Sequence, residues 1–332
     1  MKAIVLVGGF GTRLRPLTLS TPKQMLPMGE ATMLERVVRR LGEQGVTSAV
    51  LSLGYKPDVF LEAYPEGRCA GVTLEYAVEP EPLDTAGAIA FAADHVGVDE
   101  TFVAVNGDVL SDIRLSDLFW LHEVRQAAAT IALTPVEDPS RFGVVPIDDQ
   151  GRVEAFIEKP PPGEAPTNWI NAGTYVLDPS VLDLITRGRR VSIEREVFPA
   201  LVEAGTLFAV QCPGYFVDAG TPETYLQSTL DYHNGCRGTE VPVQETADIA
   251  PDATVEGSIV GATAVVGAGA QVSYSLVHAG ATIGADAVVH GSIVGAGAVV
   301  ESGCRLAGLT VIGSDTRVPP NTELDGGRLP AD

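Results

Sequence analysis

Cysteine is scarce in this sequence and widely dispersed. The four cysteines are Cys69, Cys212, Cys236 and Cys304, and with no Cys-x-x-Cys pair they indicate neither a disulfide framework nor a zinc site. Long apolar runs are also missing, since no stretch approaches the roughly 18 continuous apolar residues of a membrane span. The first apolar run, 3–7, is too short for the core of a signal peptide. We therefore expect a cytoplasmic protein with no membrane partner.

Positive charge is the second shortage. The 332 residues carry 22 Lys and Arg against 43 Asp and Glu, for a formal net charge of −21. Phosphate backbones and anionic lipids repel such a chain, which excludes unassisted binding to nucleic acid or to a membrane surface. Residues 1–40 run against this trend, with seven basic and two acidic residues. A local positive region in an acidic protein fits a small polyanionic substrate.

Two common phosphate-binding signatures are absent from the segment after the first apolar run, Ala3–Val7. A Gly-Lys-Ser/Thr ending is missing, which excludes a P-loop, and Leu14 occupies the position where Gly-x-Gly-x-x-Gly needs its third glycine. The segment instead reads Gly8-Gly9-Phe10-Gly11-Thr12-Arg13, with Lys23 shortly after. Glycines after a buried strand let backbone N–H groups approach an anion closely. We interpret this as a polyphosphate-binding loop; the simpler alternative is tight packing of a strand against a helix.

Short apolar segments alternate with amphipathic ones over the first 230 residues. The predicted strands are Ala3–Val7, Ala49–Leu53, Leu74–Ala77, Thr101–Val105, Thr130–Val136, Arg152–Ile157 and Ile170–Leu177. The predicted helices are Met33–Gln44, Gly87–His95, Ser192–Val202 with Ser192 as N-cap, and a last helix with Thr221 as N-cap. This alternation predicts a Rossmann-like α/β domain with a mostly parallel sheet. Because ligands bind beyond the carboxyl ends of such strands, Gly8 and Asp108 should lie at the same edge.

Beyond residue 235 the sequence changes to a repeat of small and branched residues. Apolar residues recur mostly every six positions, and Val260, Val277 and Val294 are each 17 residues apart. Three short strands therefore make one coil of a solenoid, which is the hexapeptide β-helix pattern. We accordingly predict a catalytic domain over residues 1–235 and a β-helix over residues 236–332.

Two aspartates follow strand-like segments, Asp108 in Asn-Gly-Asp and Asp218 in Val-Asp-Ala-Gly. Mg²⁺ prefers oxygen ligands and commonly takes one or two carboxylates together with substrate phosphates. In a chain with a polyphosphate loop, the two carboxylates therefore suggest a Mg²⁺ site. The alternative for each aspartate alone is a capped turn.

Two further polar motifs are open to more than one interpretation. Glu158-Lys159-Pro160 places a carboxylate beside a cation, and the proline predicts extended backbone at Lys159. An isolated Glu-Lys pair is usually a solvated surface pair. Asn171, in Asn-Ala-Gly, has an amide that could hydrogen-bond sugar hydroxyls or, equally, form a turn.

The order of these motifs resembles one family, the sugar-phosphate nucleotidylyltransferases, over the whole chain. The matching motifs are the glycine loop, Pro22-Lys23, Asn106-Gly107-Asp108, Glu158-Lys159-Pro160, Asn171-Ala172-Gly173, Asp218 and the terminal hexapeptide repeats. The resemblance implies transfer of a nucleoside monophosphate from an NTP to a sugar 1-phosphate with release of pyrophosphate. It also implies Mg²⁺ as cofactor and a left-handed β-helix. Such a reaction between two anions depends on positioning and charge neutralisation, without a covalent nucleophile.

The resemblance also implies a role for each matching residue. Those implied in catalysis are Arg13, Lys23, Asp108 and Asp218, with Asp108 and Asp218 as Mg²⁺ ligands. Those implied in nucleotide binding are Leu6, Gly8, Gly9, Gly11, Thr12, Arg13, Lys23, Glu79, Thr85 and Gly87. Those implied in sugar-phosphate binding are Asn106, Gly107, Glu158, Lys159, Asn171 and Gly173.

Several segments, among them 192–199, are similar to the branch of the family that joins GTP to mannose 1-phosphate, and these are the favoured substrates. Two residues depart from that branch. Gln24 follows Lys23 where proline is usual and where thymidylyltransferases more often have glutamine. Asp84 replaces a glycine of the loop that lines the base pocket. Both departures bear on base choice.

Three other functions stay open from the sequence alone. One is a thymidylyl- or uridylyltransferase acting on glucose 1-phosphate, and another is a catalytically silent regulatory subunit that binds nucleotide sugar. The third is a hexapeptide acyltransferase with His278 or His290 as base, although a packing or surface histidine is the commoner case. We also expect the β-helix to assemble the protein into a homo-oligomer.

Overall fold

The structure is a computed structural model that describes residues 1–331. The chain forms two compact units, each with its own buried apolar core. The first unit comprises Met1–Gly9 and Leu34–Val217, and the second comprises Phe10–Met33 and the chain from Asp218 onward. The domain boundary at residue 235 stays a prediction.

A ten-stranded sheet forms the centre of the first unit. The strands along its main path are, in spatial order, Ile157–Glu158, Gly143–Val144, Trp169–Leu177, Phe102–Asn106, Lys2–Leu6, Ser48–Leu53, Val72–Val78 and Arg68–Cys69. The other two strands are Ala129–Pro135, which pairs with Trp169–Leu177, and Leu207–Gln211, which pairs with Ala129–Pro135. The central strands are parallel, and antiparallel strands flank them. The predicted Rossmann-like α/β fold is confirmed.

The parallel centre of the sheet brings three strand ends to one level. Leu6 lies opposite Ser52 on one side and opposite Asn106 on the other. Because the chain leaves all three strands at their carboxyl ends, Gly8 and Asp108 lie at the same edge of the sheet, as predicted.

Helices accompany this sheet. They are Met33–Glu43, Pro57–Ala63, Asp84–Val96, Leu115–Arg125 and Phe198–Glu203, with 3-10 turns at Pro139–Arg141 and Pro179–Leu184 and further strands at Val109–Ser111 and Phe216–Asp218. Two of the helices, Pro57–Ala63 and Leu115–Arg125, are absent from the sequence-based prediction, although leucines buried at three-residue spacing mark the second one. Within residues 1–331, no helix has the length and apolar character needed to cross a membrane.

The predicted strand Arg152–Ile157 is wrong over most of its length. Only Ile157–Glu158 joins the sheet, while Arg152 and Val153 form isolated bridges to other segments. The alternating apolar and polar residues of 152–157 therefore do not form one regular β-strand.

The helix predicted at Ser192–Val202 has an irregular start. Ser192 Oγ accepts a hydrogen bond from the Arg195 N–H at 3.3 Å, which confirms the predicted N-cap. A π-helical turn, Ile193–Val197, comes first, and regular α-helix follows at Phe198–Glu203. Pro199 has no N–H to donate to the carbonyl four residues earlier, so α-helical bonding cannot run unbroken through the segment.

Three five-stranded parallel sheets form most of the second unit. Val277 pairs with Val260 on one coil and Val294 on the next, and Val294 pairs with Ile312. Inward-facing branched side chains make a continuous core, which confirms the hexapeptide solenoid and agrees with the left-handed β-helix implied by the resemblance. The strands are Asp248–Ile249, Thr254–Glu256, Ile259–Val260, Val265–Val266, Gln271–Ser273, Leu276–Val277, Thr282–Ile283, Val288–His290, Ile293–Val294, Val299–Val300, Arg305–Ala307, Val311–Ile312, Arg317–Val318, Glu323–Asp325 and Arg328–Leu329.

The second unit also contains short elements outside the solenoid. They are the 3-10 turns Thr12–Leu14, Leu17–Leu19 and Lys23–Met25, the hairpin strands Pro27–Met28 and Ala31–Thr32, and the helix Pro222–Leu230. This helix begins with a capping box, in which Thr221 Oγ1 accepts from the Thr224 N–H at 3.3 Å. The predicted N-cap at Thr221 is therefore confirmed.

The strand Val265–Val266 offers a matched test of the β-helix core. Val266 is 1% exposed and belongs to the core, whereas Val265 beside it is 38% exposed. We expect Val266→Ala to lower the free energy of unfolding by about 2 kcal/mol, because it removes buried methyl groups and leaves a cavity. Val265→Ala should change it by no more than about 0.5 kcal/mol. Urea denaturation measures both, and equal losses would show that Val266 is not a core residue.

Candidate active site

Glycines at the ends of neighbouring strands let backbone segments come very close at the carboxyl edge of the sheet. A Cβ on Gly54 would lie 3.0 Å from the Gly8 carbonyl oxygen. A Cβ on Gly107 would lie 2.9 Å from the Leu6 carbonyl oxygen, which also accepts the Gly107 N–H at 3.0 Å. Larger residues at 54 or 107 would push these loops away from the first strand. Gly9, one residue further along, is exposed.

A buried carboxylate lies at this edge. Glu79 is 9% exposed, and its Oε1 would lie 3.2 Å from a Cβ on Gly8. Ser52 Oγ donates to Oε1 at 2.9 Å, and the Leu83 N–H donates to Oε2 at 3.1 Å. Since a carboxylate has about four acceptor positions, each oxygen can accept a further hydrogen bond. Glu79 is therefore a firmly held acceptor beside the glycine loop.

Thr85 and Gly87, both predicted in nucleotide binding, use their polar groups inside the first unit. The Thr85 hydroxyl donates to Glu194 Oε2 at 2.8 Å and accepts from the Ile193 N–H, also at 2.8 Å. The Gly87 N–H donates to the Val191 carbonyl at 3.1 Å. These bonds tie the start of the helix Asp84–Val96 to segment 191–194. A contact with nucleotide stays a prediction for both residues.

Asp84 has a backbone φ of +60°, in the left-handed region that favours glycine. The departure from the usual glycine at this position therefore has a conformational cost, on the order of 1 kcal/mol. Asp84 Oδ1 accepts from the Thr85 N–H at 2.9 Å, a local bond of the kind that lets aspartate adopt this conformation. Its side chain is exposed, so the charge faces solvent.

Asn106 ends the central strand of the sheet, and the buried Asp108 follows two residues later. A Cβ on Gly173 would lie 2.6 Å from Asn106 Nδ2. The structure therefore brings Asn106 and Gly173, both predicted in sugar-phosphate binding, into direct contact.

Asn171 uses its amide to build a bulge in the strand Trp169–Leu177. Its Nδ2 donates to the Tyr175 hydroxyl at 2.9 Å, and its Oδ1 accepts from the Gly173 N–H at 3.1 Å. The strand register shifts between Asn171 and Tyr175, where Gly173 has a left-handed φ of +65°. Asn-Ala-Gly therefore forms a bulge within the strand, and the turn considered from the sequence is not what the structure shows. A contact of Asn171 with a sugar stays a prediction.

Glu158 and Lys159 form an ion pair, with 2.9 Å between Oε1 and Nζ. The Lys159 side chain is 57% exposed, so solvent screens the pair and the ammonium is accessible. The prediction of extended backbone at Lys159 is wrong, since its φ is +51°. Its N–H donates to the Phe142 carbonyl at 3.0 Å, a bond that helps to hold this conformation in front of Pro160. Strain of roughly 1–3 kcal/mol of this kind is concentrated at functional sites.

The second unit contains the rest of the glycine loop. Gly11 has a φ of +62°, and its carbonyl oxygen accepts from Thr18 Oγ1 at 2.7 Å. A Cβ on Gly11 would lie 3.0 Å from Thr18 Cγ2 and 3.2 Å from Lys23 Cβ. The left-handed φ and the close neighbours both require glycine at position 11. Because glycine has no side chain, Lys23 can approach the loop. Thr12 and Arg13, which follow, are exposed.

Arg13 and Asp218 come together in the second unit. Arg13 Nη2 lies 3.9 Å from Asp218 Oδ2, and Asp218 Oδ1 accepts from the Gly220 N–H at 2.9 Å. A Cβ on Gly220 would lie 2.6 Å from Arg13 Nη2, so glycine makes room for the guanidinium. Arg13 is thus a solvated cation oriented by a half-buried carboxylate.

The two aspartates predicted to bind Mg²⁺ fit that ion chemically, because each offers hard carboxylate oxygens. Among the described residues, no group of three or more His, Cys, Asp or Glu side chains is arranged as a complete metal site. A Mg²⁺ ion held by Asp108 or Asp218 would therefore complete its coordination with phosphate or water oxygens, as is usual for this ion.

Gln24 is 1% exposed, and its Oε1 has no hydrogen-bond partner among the residues the structure describes. A buried unpaired acceptor costs roughly 1–3 kcal/mol. A side chain this deeply buried presents almost no surface to a nucleotide. Gln24 therefore affects the packing of the loop after Lys23 rather than direct contact with a base.

Sequence reasoning missed Ser52 and Gly54, the two residues that support Glu79 and the Gly8 carbonyl. A signal was present, because the strand Ser48–Leu53 is followed at once by a glycine, as the apolar run Ala3–Val7 is. That pattern is typical of strand ends where backbone segments approach closely.

A Rossmann-like sheet with a glycine-rich loop after its first strand, followed along the chain by a parallel β-helix, is the arrangement expected of a nucleotidyltransferase. The chain belongs to the nucleotidyl transferase family, whose model matches residues 2–235. Residues 238–329 match the model of the GMPPB C-terminal domain. The resemblance seen in the sequence is thereby confirmed.

Individual relatives extend this result. The chain is 40% identical over 290 residues to the mannose-1-phosphate guanylyltransferase of Mycobacterium tuberculosis, covering 84% of this chain and 80% of that protein. It is 42% identical over 241 residues to the mannose-1-phosphate guanyltransferase of Schizosaccharomyces pombe, covering 71% and 66% respectively. The solved structure of HddC from Yersinia pseudotuberculosis complexed with GMP-PN has a TM-score of 0.60 and 28% identity, covering 70% of this chain and 99% of that one.

Substitutions at Asp84 separate its backbone strain from its charge. We expect Asp84→Ala to lower the free energy of unfolding by about 1–2 kcal/mol, because the strain stays and the bond to Thr85 is lost. Asp84→Gly should stay within about 0.5 kcal/mol of wild type, because the relieved strain offsets the lost bond. Asp84→Asn, which removes only the charge, is the control. Thermal unfolding measures all three, and equal effects of alanine and glycine would contradict the strain.

Proposed function

We propose that this protein is a mannose-1-phosphate guanylyltransferase, which joins GTP and mannose 1-phosphate to give GDP-mannose and pyrophosphate. Membership of the nucleotidyl transferase family supports the reaction class. Relatives named for this activity, at 40% and 42% identity, support the substrate pair. The observation that carries the choice of base is the buried carboxylate of Glu79 beside Gly8.

The acceptor chemistry of Glu79 favours guanine over the other bases. The Watson–Crick edge of guanine presents two adjacent donors, N1–H and N2–H, which suit the two oxygens of a carboxylate. Thymine and uracil present one N–H donor between two carbonyl oxygens, and the negative charge of a carboxylate repels those oxygens. Adenine and cytosine present one donor beside an unprotonated ring nitrogen. With Ser52 and Leu83 already donating to Glu79, its free acceptor positions are oriented before the nucleotide arrives.

The proposed reaction is an in-line displacement at the α-phosphorus of GTP. A phosphate oxygen of mannose 1-phosphate forms the new bond to phosphorus, while the bond to the pyrophosphate oxygen breaks. Both reactants are anions, so cations that neutralise them lower the barrier. We assign Arg13 and Lys23 to the nucleotide phosphates and Lys159 to the sugar phosphate. The exposed ammonium of Lys159 and the exposed guanidinium of Arg13 support these roles.

We further propose Mg²⁺ as the cofactor, with Asp108 and Asp218 as its protein ligands. When bound, the ion would neutralise phosphate charge and make pyrophosphate a better leaving group. Asp218 also orients Arg13, so it holds a cation for the same phosphates. A cytoplasmic location and assembly into a homo-oligomer stay predictions from the sequence.

The alternatives have less support. Gln24, the residue that favours a thymidylyltransferase, is too deeply buried to read a base. An acyltransferase base at His278 is disfavoured because that side chain is buried and hydrogen-bonded to Tyr225. A silent regulatory subunit has no need of Arg13 and Lys23, both of which are present.

Pyrophosphate release with Mg²⁺ tests the substrate pair directly. GTP, dTTP, UTP, ATP and CTP are each combined with mannose 1-phosphate and with glucose 1-phosphate. We expect GTP with mannose 1-phosphate to dominate, and chelation of Mg²⁺ to abolish the signal. A dominant signal from dTTP or UTP with glucose 1-phosphate would overturn the substrates and keep the chemistry. No signal from any pair would favour the regulatory subunit.

Removing the proposed charges should slow the reaction strongly. We expect Lys23→Ala and Asp108→Ala each to lower kcat/KM by about 100-fold or more, because the first removes a cation from the nucleotide phosphates and the second removes a proposed ligand of the Mg²⁺ that would neutralise them. Arg114→Ala is a suitable control, since Arg114 is an exposed cation that precedes the helix Leu115–Arg125 and forms an ion pair with Asp117 in its first turn. Near-normal turnover of both site variants would refute the assignment.

The role of Glu79 has a matched control in Glu75, which lies on the strand Val72–Val78 just before it. Ser48 donates to Glu75 at 3.3 Å just as Ser52 donates to Glu79, but Glu75 is exposed. We expect Glu79→Gln to lower kcat/KM for GTP about 10- to 100-fold, because one acceptor becomes a donor that faces N1–H or N2–H. Glu75→Gln should leave it unchanged. Steady-state kinetics with GTP and UTP measure both, and an equal loss with the two nucleotides would argue against base reading.

A further inference from the structure

A buried tyrosine and a buried histidine form a polar pair inside the second unit. Tyr225, on the helix Pro222–Leu230, is fully buried, and His278 in the β-helix is nearly so. The Tyr225 hydroxyl lies within hydrogen-bond distance of the Pro27 carbonyl oxygen and 3.1 Å from His278 Nε2. The two rings meet edge to face, with centroids 6.1 Å apart.

The proton positions in this pair follow from its chemistry. The Pro27 carbonyl oxygen can only accept, so the single hydroxyl proton of Tyr225 goes to it. His278 Nε2 must then carry a proton and donate it to the Tyr225 oxygen. Burial lowers the pKa of His278 to about 4, so the ring is neutral at pH 7, with its proton on Nε2. The bonds run in one direction, from His278 through Tyr225 to Pro27.

Pro27 belongs to the segment that contains Lys23. The Leu26 N–H donates to the Lys23 carbonyl at 3.1 Å, and the Met33 N–H donates to the Leu26 carbonyl at 3.1 Å. These bonds make a compact turn of residues 23–26 that runs directly into Pro27. A fixed Pro27 carbonyl therefore restricts the backbone on which the Lys23 side chain stands.

The β-helix repeat does not itself call for a histidine at this position. Val277 pairs with Val260 and Val294, so His278 corresponds to Gly261 and Gly295 on the adjacent coils. A buried hydrogen-bonding pair is also expensive to desolvate unless its partners are all in place. The position of His278 is thus occupied by glycine on the coils on either side, and histidine occurs on the one coil that contacts Tyr225.

We propose that Tyr225 and His278 are positioning residues for the reaction, which hold the segment 23–27 so that Lys23 is placed for the nucleotide phosphates. The inference rests on the proposed function of Lys23. It gives the β-helix a part in catalysis through one hydrogen-bond chain, beyond any part in assembly. Neither residue touches substrate in this role.

The test uses three substitutions in the full chain. Tyr225→Phe removes the donor to Pro27, and His278→Met removes the donor to Tyr225. His278→Gln keeps an N–H at the place of Nε2 and should rescue the function. His290→Met is the matched control, because His290 is an exposed β-helix histidine with its own partner, Ser273, 2.8 Å away.

Steady-state kinetics should separate positioning from general damage. We expect Tyr225→Phe and His278→Met to raise KM for GTP or lower kcat by about 10-fold or more, with KM for mannose 1-phosphate unchanged. His278→Gln and His290→Met should stay within about twofold of wild type. The double variant Tyr225→Phe/His278→Met should be no more impaired than the more impaired of the two single variants, because both substitutions break the same chain of hydrogen bonds. Folded variants with wild-type kinetics, or no rescue by glutamine, would overturn the proposal.

Amide hydrogen exchange tests the positioning without any substrate. We expect faster exchange in residues 23–28 of Tyr225→Phe and His278→Met, and wild-type exchange there in His278→Gln and His290→Met. Unchanged exchange in all variants would overturn the proposal even if catalysis were impaired. If wild type releases no pyrophosphate from any substrate pair, the proposed function fails, and the exchange result still decides whether the chain of bonds holds this segment.

Discussion

The close approach of backbone segments at the carboxyl edge of the sheet is the constraint on which the first unit depends. Parallel pairing brings the ends of three strands to one level, and glycine at positions 8, 54 and 107 lets their loops pack against each other. Because the loops are so close, the Glu79 carboxylate can reach both Ser52 and the edge beside Gly8. An acceptor is thus held beside the glycine loop by the close packing of the backbone.

The predicted site residues divide into two groups by what their polar atoms do. Thr85 and Asn171 use theirs to hold other parts of the protein, one tying a helix to segment 191–194 and the other building a strand bulge. Lys159 and Arg13 present their cations to solvent, each beside a carboxylate. Preorganised sites need both kinds, because a charge that neutralises phosphate is effective only if its position is already determined. A family motif therefore marks supporting residues as well as those that touch substrate.

Sequence patterns predicted the elements whose causes are local. A run of β-branched residues before a glycine predicted the first strand, and apolar residues repeating every six positions predicted the β-helix. Ser192 and Thr221 cap helices where expected. The failures have causes distant in sequence. The left-handed backbone of Lys159 overrides the preference set by Pro160 and is held by a bond to Phe142, and the burial of Glu79 depends on a strand 27 residues away. Local propensity cannot contain such information.

The two departures from the guanylyltransferase branch differ in physical kind, which decides how each bears on base choice. Gln24 is buried with an unpaired oxygen, which lowers the stability of the loop. The residue can therefore influence a nucleotide only through the packing of that loop. Asp84 adds an exposed charge and a left-handed backbone at the start of a helix. Water and salt screen an exposed carboxylate strongly, so its effect on an anionic nucleotide is modest. Both departures thus leave the Glu79 acceptor in place. A family pattern can therefore change at neighbouring positions while the group that we propose to read the base stays where the sheet edge holds it.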